Sequence, residues 1–455
     1  MRFRQSILET DYLTTVYPLV IEQLFMMLIG NVNVFLFSLY NDQFVAAISL
    51  ADQVLAIGGM ALGIVSLGGI VLLLRHADED EVPVVQRIIR QCFILIAIIS
   101  VVLAFIYIPF APLIINLIQS PANLLPLSIR YLRLVSLSLI FQGISMVVSI
   151  VLRSHGKVKS AMFISVANTI FVIVGNALVI LTPDDFIQGG IIPIALMTIF
   201  TRFLGSIFSL INFKIKLGYI FNGLWQGMGN ELDTFFDILK IGFPSGMENI
   251  SYNFSQTFIT AIIASLGTVA VTSKIYTQTI TAIVFTISVA LGQGGQIIIG
   301  RFVRKKVFLK AKDFLVHNLL FFTLISITIN TLIALSGNVL VQIFTDDPVI
   351  IRTVRILLVM SIIYDACRGI NEIIIAGLQV IKDVKYPVFI GVLVTYLFTI
   401  PFSYLTGVWL SLGIVGVWLI FILDEGLRAF LFYRRWKQEM NYHHKLEGRD
   451  EREAS

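Results

Sequence analysis

The chain runs to 455 residues, of which 57% are apolar and only 13% charged, with a net charge of +5 and a mean hydropathy of +0.89. A soluble domain carries about 25% charged residues, so this chain cannot cover a surface that faces water, and most of its exterior must face lipid. That excludes a cytosolic enzyme, a nucleic-acid binder and a disordered scaffold.

A helix needs about 20 mostly apolar residues to cross a bilayer. Twelve such stretches follow in order: 13–39, 45–74, 91–115, 127–152, 161–182, 189–213, 239–265, 269–300, 314–336, 355–379, 386–408 and 411–433. The first carries Pro18 and Glu22 and is far longer than a signal-peptide core, so it reads as a mature span. Turn and charge signals fill the gaps, among them Tyr40-Asn41-Asp42, Ser120-Pro121-Ala122-Asn123 and Thr345-Asp346-Asp347-Pro348. Basic residues orient the chain: 24 of the 33 Lys and Arg fall at the N-terminus, in the 2–3, 4–5, 6–7, 8–9 and 10–11 loops and in the tail, against five on the other side. Both termini are therefore expected in the cytoplasm.

Self-comparison reveals a repeat. Pro18-x-x-x-Glu22 recurs as Pro244-x-x-x-Glu248, an offset of 226 that also pairs Gly68-Gly69 with Gly294-Gly295, Arg75 with Arg301 and Arg202 with Arg428. The expected fold is an all-α integral membrane protein of twelve helices in two homologous six-helix bundles, related by a parallel pseudo-two-fold. Its divisions are an N-terminal lobe at 1–215, a cytoplasmic linker at 216–237, a C-terminal lobe at 238–435 and a charged tail at 436–455, read as disordered from Tyr442.

Ionisable residues inside spans mark function or pairing. Glu22 and Glu248 each follow an intrahelical proline by four residues, so each helix should kink just before its carboxylate. Asn33 lies further along the first span, while Asn249, Asn253 and Gln256 accompany Glu248, giving each half a polar pocket that could take a proton. With oxygen neighbours the pocket at Glu248 could hold sodium instead. In the tenth span Asp365, Arg368 and Glu372 share a face, so that Arg368 can pair with either acid, with Asn371 beside them. Asp424, Glu425 and Arg428 read as an interfacial cluster near the cytoplasmic end of the twelfth span. No Walker A motif is present, the five histidines lack metal-ligand spacing, and Cys92 and Cys367 form neither a disulfide framework nor a zinc site alone. No cofactor and no catalytic residue is expected.

Several segments resemble the multidrug and toxic compound extrusion (MATE) family. They are Ile241-Gly242-Phe243-Pro244 with Glu248, the glycines and glutamines between Leu291 and Arg301, Phe344-Thr345-Asp346-Asp347, and Gly413-Ile414-Val415-Gly416-Val417-Trp418. The resemblance implies an antiporter in the plasma membrane, exporting organic, often amphipathic and cationic compounds in exchange for protons or sodium. It further implies cation coupling at Glu248, with Glu22 and Asp365 as accompanying acids. The first-span aspartate of one branch aligns with Asn33, and the tenth-span aspartate with Arg368 without a gap or with Asp365 across a gap of three, so the match to that branch's sodium site is incomplete. A monomer with small-molecule substrates and the lipid bilayer as its partners is expected. The alternative is a flippase for a lipid-linked precursor, although flippases of that superfamily usually have fourteen spans and a basic cavity. A major-facilitator transporter ranks below both, because the loop after span two reads Arg75-His76-Ala77-Asp78-Glu79-Asp80.

Overall fold

The computed structural model describes residues 12–38, 42–76, 82–117, 124–181, 191–225 and 231–453. Every long element among them is helical, as lipid demands of a backbone that must satisfy its own hydrogen bonds. In chain order they are α1 (Tyr12–Ser38), α2 (Asp42–His76), α3 (Val82–Leu117), α4 (Leu125–Val135), α5 (Leu139–Ser154), α6 (Val158–Leu181), α7 (Ile192–Lys216), α8 (Gly218–Phe221), α9 (Leu232–Ser265), α10 (Thr268–Arg304), α11 (Phe308–Leu335), α12 (Gly337–Gln342), α13 (Pro348–Val380), α14 (Lys385–Val394), α15 (Ile400–Tyr404) and α16 (Gly413–Glu453). A single 3-10 turn, Ser136–Ser138, joins α4 to α5 into the fourth span. The eleventh span is unusual: π-helical segments at Thr395–Thr399 and Leu405–Trp409 flank α15.

Eight spans among the described residues are long and apolar enough to cross a membrane on that ground alone. The four other long helices are α1, α9, α13 and α16, which carry the mid-helix charges singled out above. The twelve-span pattern therefore stands, and the polar spans are the ones that merit chemical attention.

The chain forms two compact units, Leu24–Gly246 and a second made of Met1–Gln23 with Met247–Ser455. These boundaries differ from the sequence boundaries near 215 and 238. The reason is that the first parts of α1 and α9 pack away from their own repeat. In the first unit a β-carbon on Gly242 of α9 would come within 1.9 Å of the Ile64 carbonyl oxygen in α2, and one on Gly68 within 2.1 Å of the Ile238 carbonyl oxygen. In the other unit a β-carbon on Gly294 of α10 would come within 2.6 Å of Val16 in α1. Val16 and Gly242 are themselves separated by the repeat offset of 226, as are Gly68 and Gly294. Small residues let these helices approach closely. The changeover comes directly after Gln23 in α1 and directly before Met247 in α9, beside the two candidate acids Glu22 and Glu248.

The linker is tied down where it is described. Arg90 of α3 donates from Nε to Glu231 at 3.0 Å, from a terminal nitrogen to the same carboxylate, and from Nη1 to the Leu224 carbonyl at 2.7 Å. Gln91 adds a bond to Glu231 at 2.9 Å, and Gln86 one to the Ile220 carbonyl at 2.9 Å. The C-terminal stretch departs from expectation too. α16 continues to Glu453, Trp436 is fully buried, and Arg435 donates to Asp383 at 2.6 Å. Phe432, Trp436 and Met440 repeat every four residues on one buried stripe, which packs the helix against its own unit as far as Met440.

Burial pushes the Glu231 carboxyl upward, but hydrogen bonds from Arg90 and Gln91 outweigh it and hold the group below the ordinary glutamate value of 4.5. A depressed carboxylate stabilises the fold above its unfolded-state value, and that contribution disappears as pH falls through the folded-state value. Glu231→Gln is therefore expected to lower the melting temperature of the purified protein at pH 7, by roughly 1–3 kcal/mol of lost charge-assisted bonding. The gap between variant and parent should close as melts are taken at successively lower pH below about 4.

Candidate functional site

The clearest site lies inside the unit that contains Met247–Ser455. A small cavity, some 360 Å³ with its open mouth included, is lined by Tyr252, Ser255, Gln256 and Ile259 of α9, Gln278 of α10 and Tyr364 of α13. Thr395 and Thr399 of the first π segment and Phe421, Asp424, Glu425 and Arg428 of α16 complete the wall. Residues 252, 255, 256 and 259 fall on one face of α9, as 3.6 residues per turn requires. A dry cluster of Ile259, Ile263, Leu357, Tyr364, Val417, Trp418 and Phe421 closes the end of the cavity toward the start of α16. Trp418 is fixed there by an indole hydrogen bond to Ser361 at 3.2 Å.

Placement of the twelfth-span charges is a correction. Asp424 lies eleven residues into α16, about 16 Å along it at 1.5 Å per residue. It is 4% exposed and Glu425 is 6% exposed, so both are enclosed by protein rather than lying on the surface. The twelfth span was expected at 411–433, and the helix continues beyond it to Glu453. Arg428 binds the Asp424 Oδ2 and lies 3.6 Å from Glu425. Glu425 also accepts from the Asn371 amide at 2.6 Å, and the same amide reaches the Glu425 backbone carbonyl at 3.0 Å. The Asp424 Oδ1 is buried and makes no hydrogen bond, and neither does the Asn371 Oδ1.

The tenth-span set is split rather than paired. Asp365 is buried, with Thr281 and Asn330 lying against it. Arg368 forms an ion pair with neither Asp365 nor Glu372; its guanidinium stacks over the Phe285 ring at 3.7 Å and reaches the Tyr252 hydroxyl at 3.4 Å. Facing helices supply those two aromatic partners, which spacing along one helix could not reveal. Gln256 lines the cavity, whereas Asn253, one residue past Tyr252, is exposed and does not. Glu22 is buried at 5% exposure. The side chains of Asn33, Glu248 and Asn249 lie outside the described residues.

Sequence reasoning missed Tyr252, Gln278, Tyr364, Thr395 and Thr399 as cavity residues. Only Thr395 and Thr399 carried a signal, two hydroxyls four apart shortly before Pro401, where a helix commonly departs from α geometry. Among the described residues no group of three or more His, Cys, Asp or Glu could hold a metal ion.

A family model described as MatE matches residues 18–178 and 244–405. The chain belongs to the MatE family. The two matched segments begin at Pro18 and Pro244, the residues that open the sequence repeat, so the duplication is a family property. The "Uncharacterized transporter YisQ" of Bacillus subtilis (strain 168) is 30% identical over 430 residues, covering 93% of each chain. A "Probable multidrug resistance protein NorM" of Thermotoga maritima is 20% identical over 420 residues, covering 91% of this chain and 89% of that one. A structure described as "Crystal structure of MATE in the bent conformation" matches with a TM-score of 0.87 at 16% identity, over 98% of this chain and 97% of that chain. Another, an "Outward-facing conformation of a multidrug resistance MATE family transporter of the MOP superfamily", matches with a TM-score of 0.85 at 16% identity, over 95% of this chain and 96% of that one. The MatE chain is thus a multi-pass membrane transporter with the twelve-helix MATE fold, acting on small molecules.

Arg428 is the compensating charge for two buried acids, and removing one partner of a buried pair costs about 3–5 kcal/mol. Arg428→Gln is expected to destabilise the purified MatE chain by that amount in thermal melts. Adding Asp424→Asn should recover part of the loss, because the stranded carboxylate goes with it.

Proposed function

We propose that this transporter is a secondary antiporter of the plasma membrane, both termini cytoplasmic, that works as a monomer. It exports organic, often amphipathic cations in exchange for protons or sodium. The observation that carries this reading is the buried Asp424 oxygen without a hydrogen bond, on the wall of a cavity inside a lipid-embedded unit. Four carboxylates (Asp365, Glu372, Asp424 and Glu425) and two guanidiniums (Arg368 and Arg428) occupy adjacent turns of α13 and α16. Fully ionised, that set carries an excess of two negative charges, which a low-dielectric site resists. Protons or a small cation relieve the excess, and the nearby oxygens of Thr395, Thr399 and Gln256 suit either.

In this reading Asp424 and Glu425 join Glu248 in binding the coupling ion. Asp365 and Glu22 hold supporting roles. Loading the ion lowers the cost of closing the cavity, and organic cargo of the same sign competes for the same field. Exchange follows, since the two cations cannot share the negative charge at no cost. The relatives named for multidrug resistance support the cargo class.

The test is efflux of a cationic dye from proteoliposomes under an imposed proton or sodium gradient. The parent protein should move dye against its gradient under at least one of them. Asp424→Asn should reduce the gradient-driven rate at least tenfold, while dye still equilibrates downhill. A parent-like rate and ion dependence in Asp424→Asn contradicts the role given to that carboxylate. Transport of a lipid-linked sugar with no dye movement would favour the flippase instead.

A further inference from the structure

Arg368 behaves unlike a buried arginine held for stability. Its own helix offers Asp365 three residues before it and Glu372 four residues after it, the spacings at which helix neighbours meet. Among the described residues no carboxylate lies within 4.0 Å of the guanidinium. It sits instead 3.7 Å above the Phe285 ring of α10 and 3.4 Å from the Tyr252 hydroxyl of α9. Tyr252 is also a wall of the acidic cavity, so the seat and the cavity share that one side chain. An aromatic face with an adjacent phenol is the recognised receptor for an organic cation. Here a side chain of the protein itself fills it.

We propose that Arg368 is a tethered stand-in for the cargo. In the state described by this structure its guanidinium occupies the Phe285–Tyr252 seat. An arriving organic cation takes that seat, and Arg368 turns along its own helix toward Glu372, one turn further on. The guanidinium thus has two seats, one aromatic and one acidic, and the cargo selects between them. The site accepts planar or quaternary organic cations and rejects anions. Within the reading of the chain as a cation exporter, on which this rests, Arg368 sets specificity and cargo affinity rather than ion coupling.

The test is equilibrium binding of tetraphenylphosphonium to the purified full chain, which needs no gradient and so stands apart from the efflux assay. Emptying the seat in Arg368→Gln should tighten binding about 2- to 30-fold, the range that a cation–aromatic contact spans. Arg368→Lys keeps the charge but stacks less well, and should fall between the two. Phe285→Leu should weaken binding, and in the Arg368→Gln background it should remove the gain. Unchanged or weaker binding in Arg368→Gln would overturn the proposal. So would a gain that survives in the double variant, because it would then come from charge alone. Absence of binding by the parent and by every variant counts against it equally. If binding tightens as expected but no gradient drives efflux, the seat stands and the antiport reading falls.

Discussion

A charge buried in a bilayer must find a partner, and this molecule is organised around charges that have only part of one. Arg428 satisfies one oxygen of Asp424 and leans on Glu425, while Asn371 holds the other side of Glu425. That leaves the Asp424 Oδ1 facing a cavity with nothing bonded to it. Such a group is costly for stability unless something binds it, and the Thr399 hydroxyl beside it is the neighbour that would share that ligand. The π-helical eleventh span fits the same logic. Its extra residue per turn brings Thr395 and Thr399 to the cavity wall, at the expense of regular backbone bonding.

The two halves descend from one pattern but no longer carry the same chemistry. At the repeat offset Arg202 corresponds to Arg428, Ser138 to Tyr364 and Thr198 to Asp424. In its own unit Arg202 donates to the Ser138 hydroxyl at 2.7 Å, and Thr198 bonds to Asn176 at 3.3 Å. Neutral partners therefore stand where the other half has acids. The exchange also runs the other way, since Asp52, which acts on Arg202 in its own unit, corresponds to the neutral Gln278 of the cavity wall. The half-helix exchange at Gly242 and Gly294 retains the symmetry that the charges have lost.

Much of this was legible before the fold was seen. The span count, the repeat and the family resemblance all followed from periodic hydrophobicity and a single offset, because lipid imposes so strict a length on a helix. What escaped was everything decided between helices. Arg368 was expected to pair along its own helix, yet it is held by Phe285 and Tyr252 from two others. Asp424 was read as part of an interfacial cluster late in the span at 411–433, whereas its side chain is enclosed by protein on a cavity wall. Hydropathy marks where lipid contact stops, not where a helix stops.

The central claim is that the carboxylates around Arg428 hold exchangeable protons or cations. Proton release into weakly buffered solution tests it most directly, measured on the purified protein as sodium and then tetraphenylphosphonium are added. The account predicts that the parent releases protons on addition of at least one of the two, and that Asp424→Asn releases fewer. Equal release from the parent and from Asp424→Asn would contradict it.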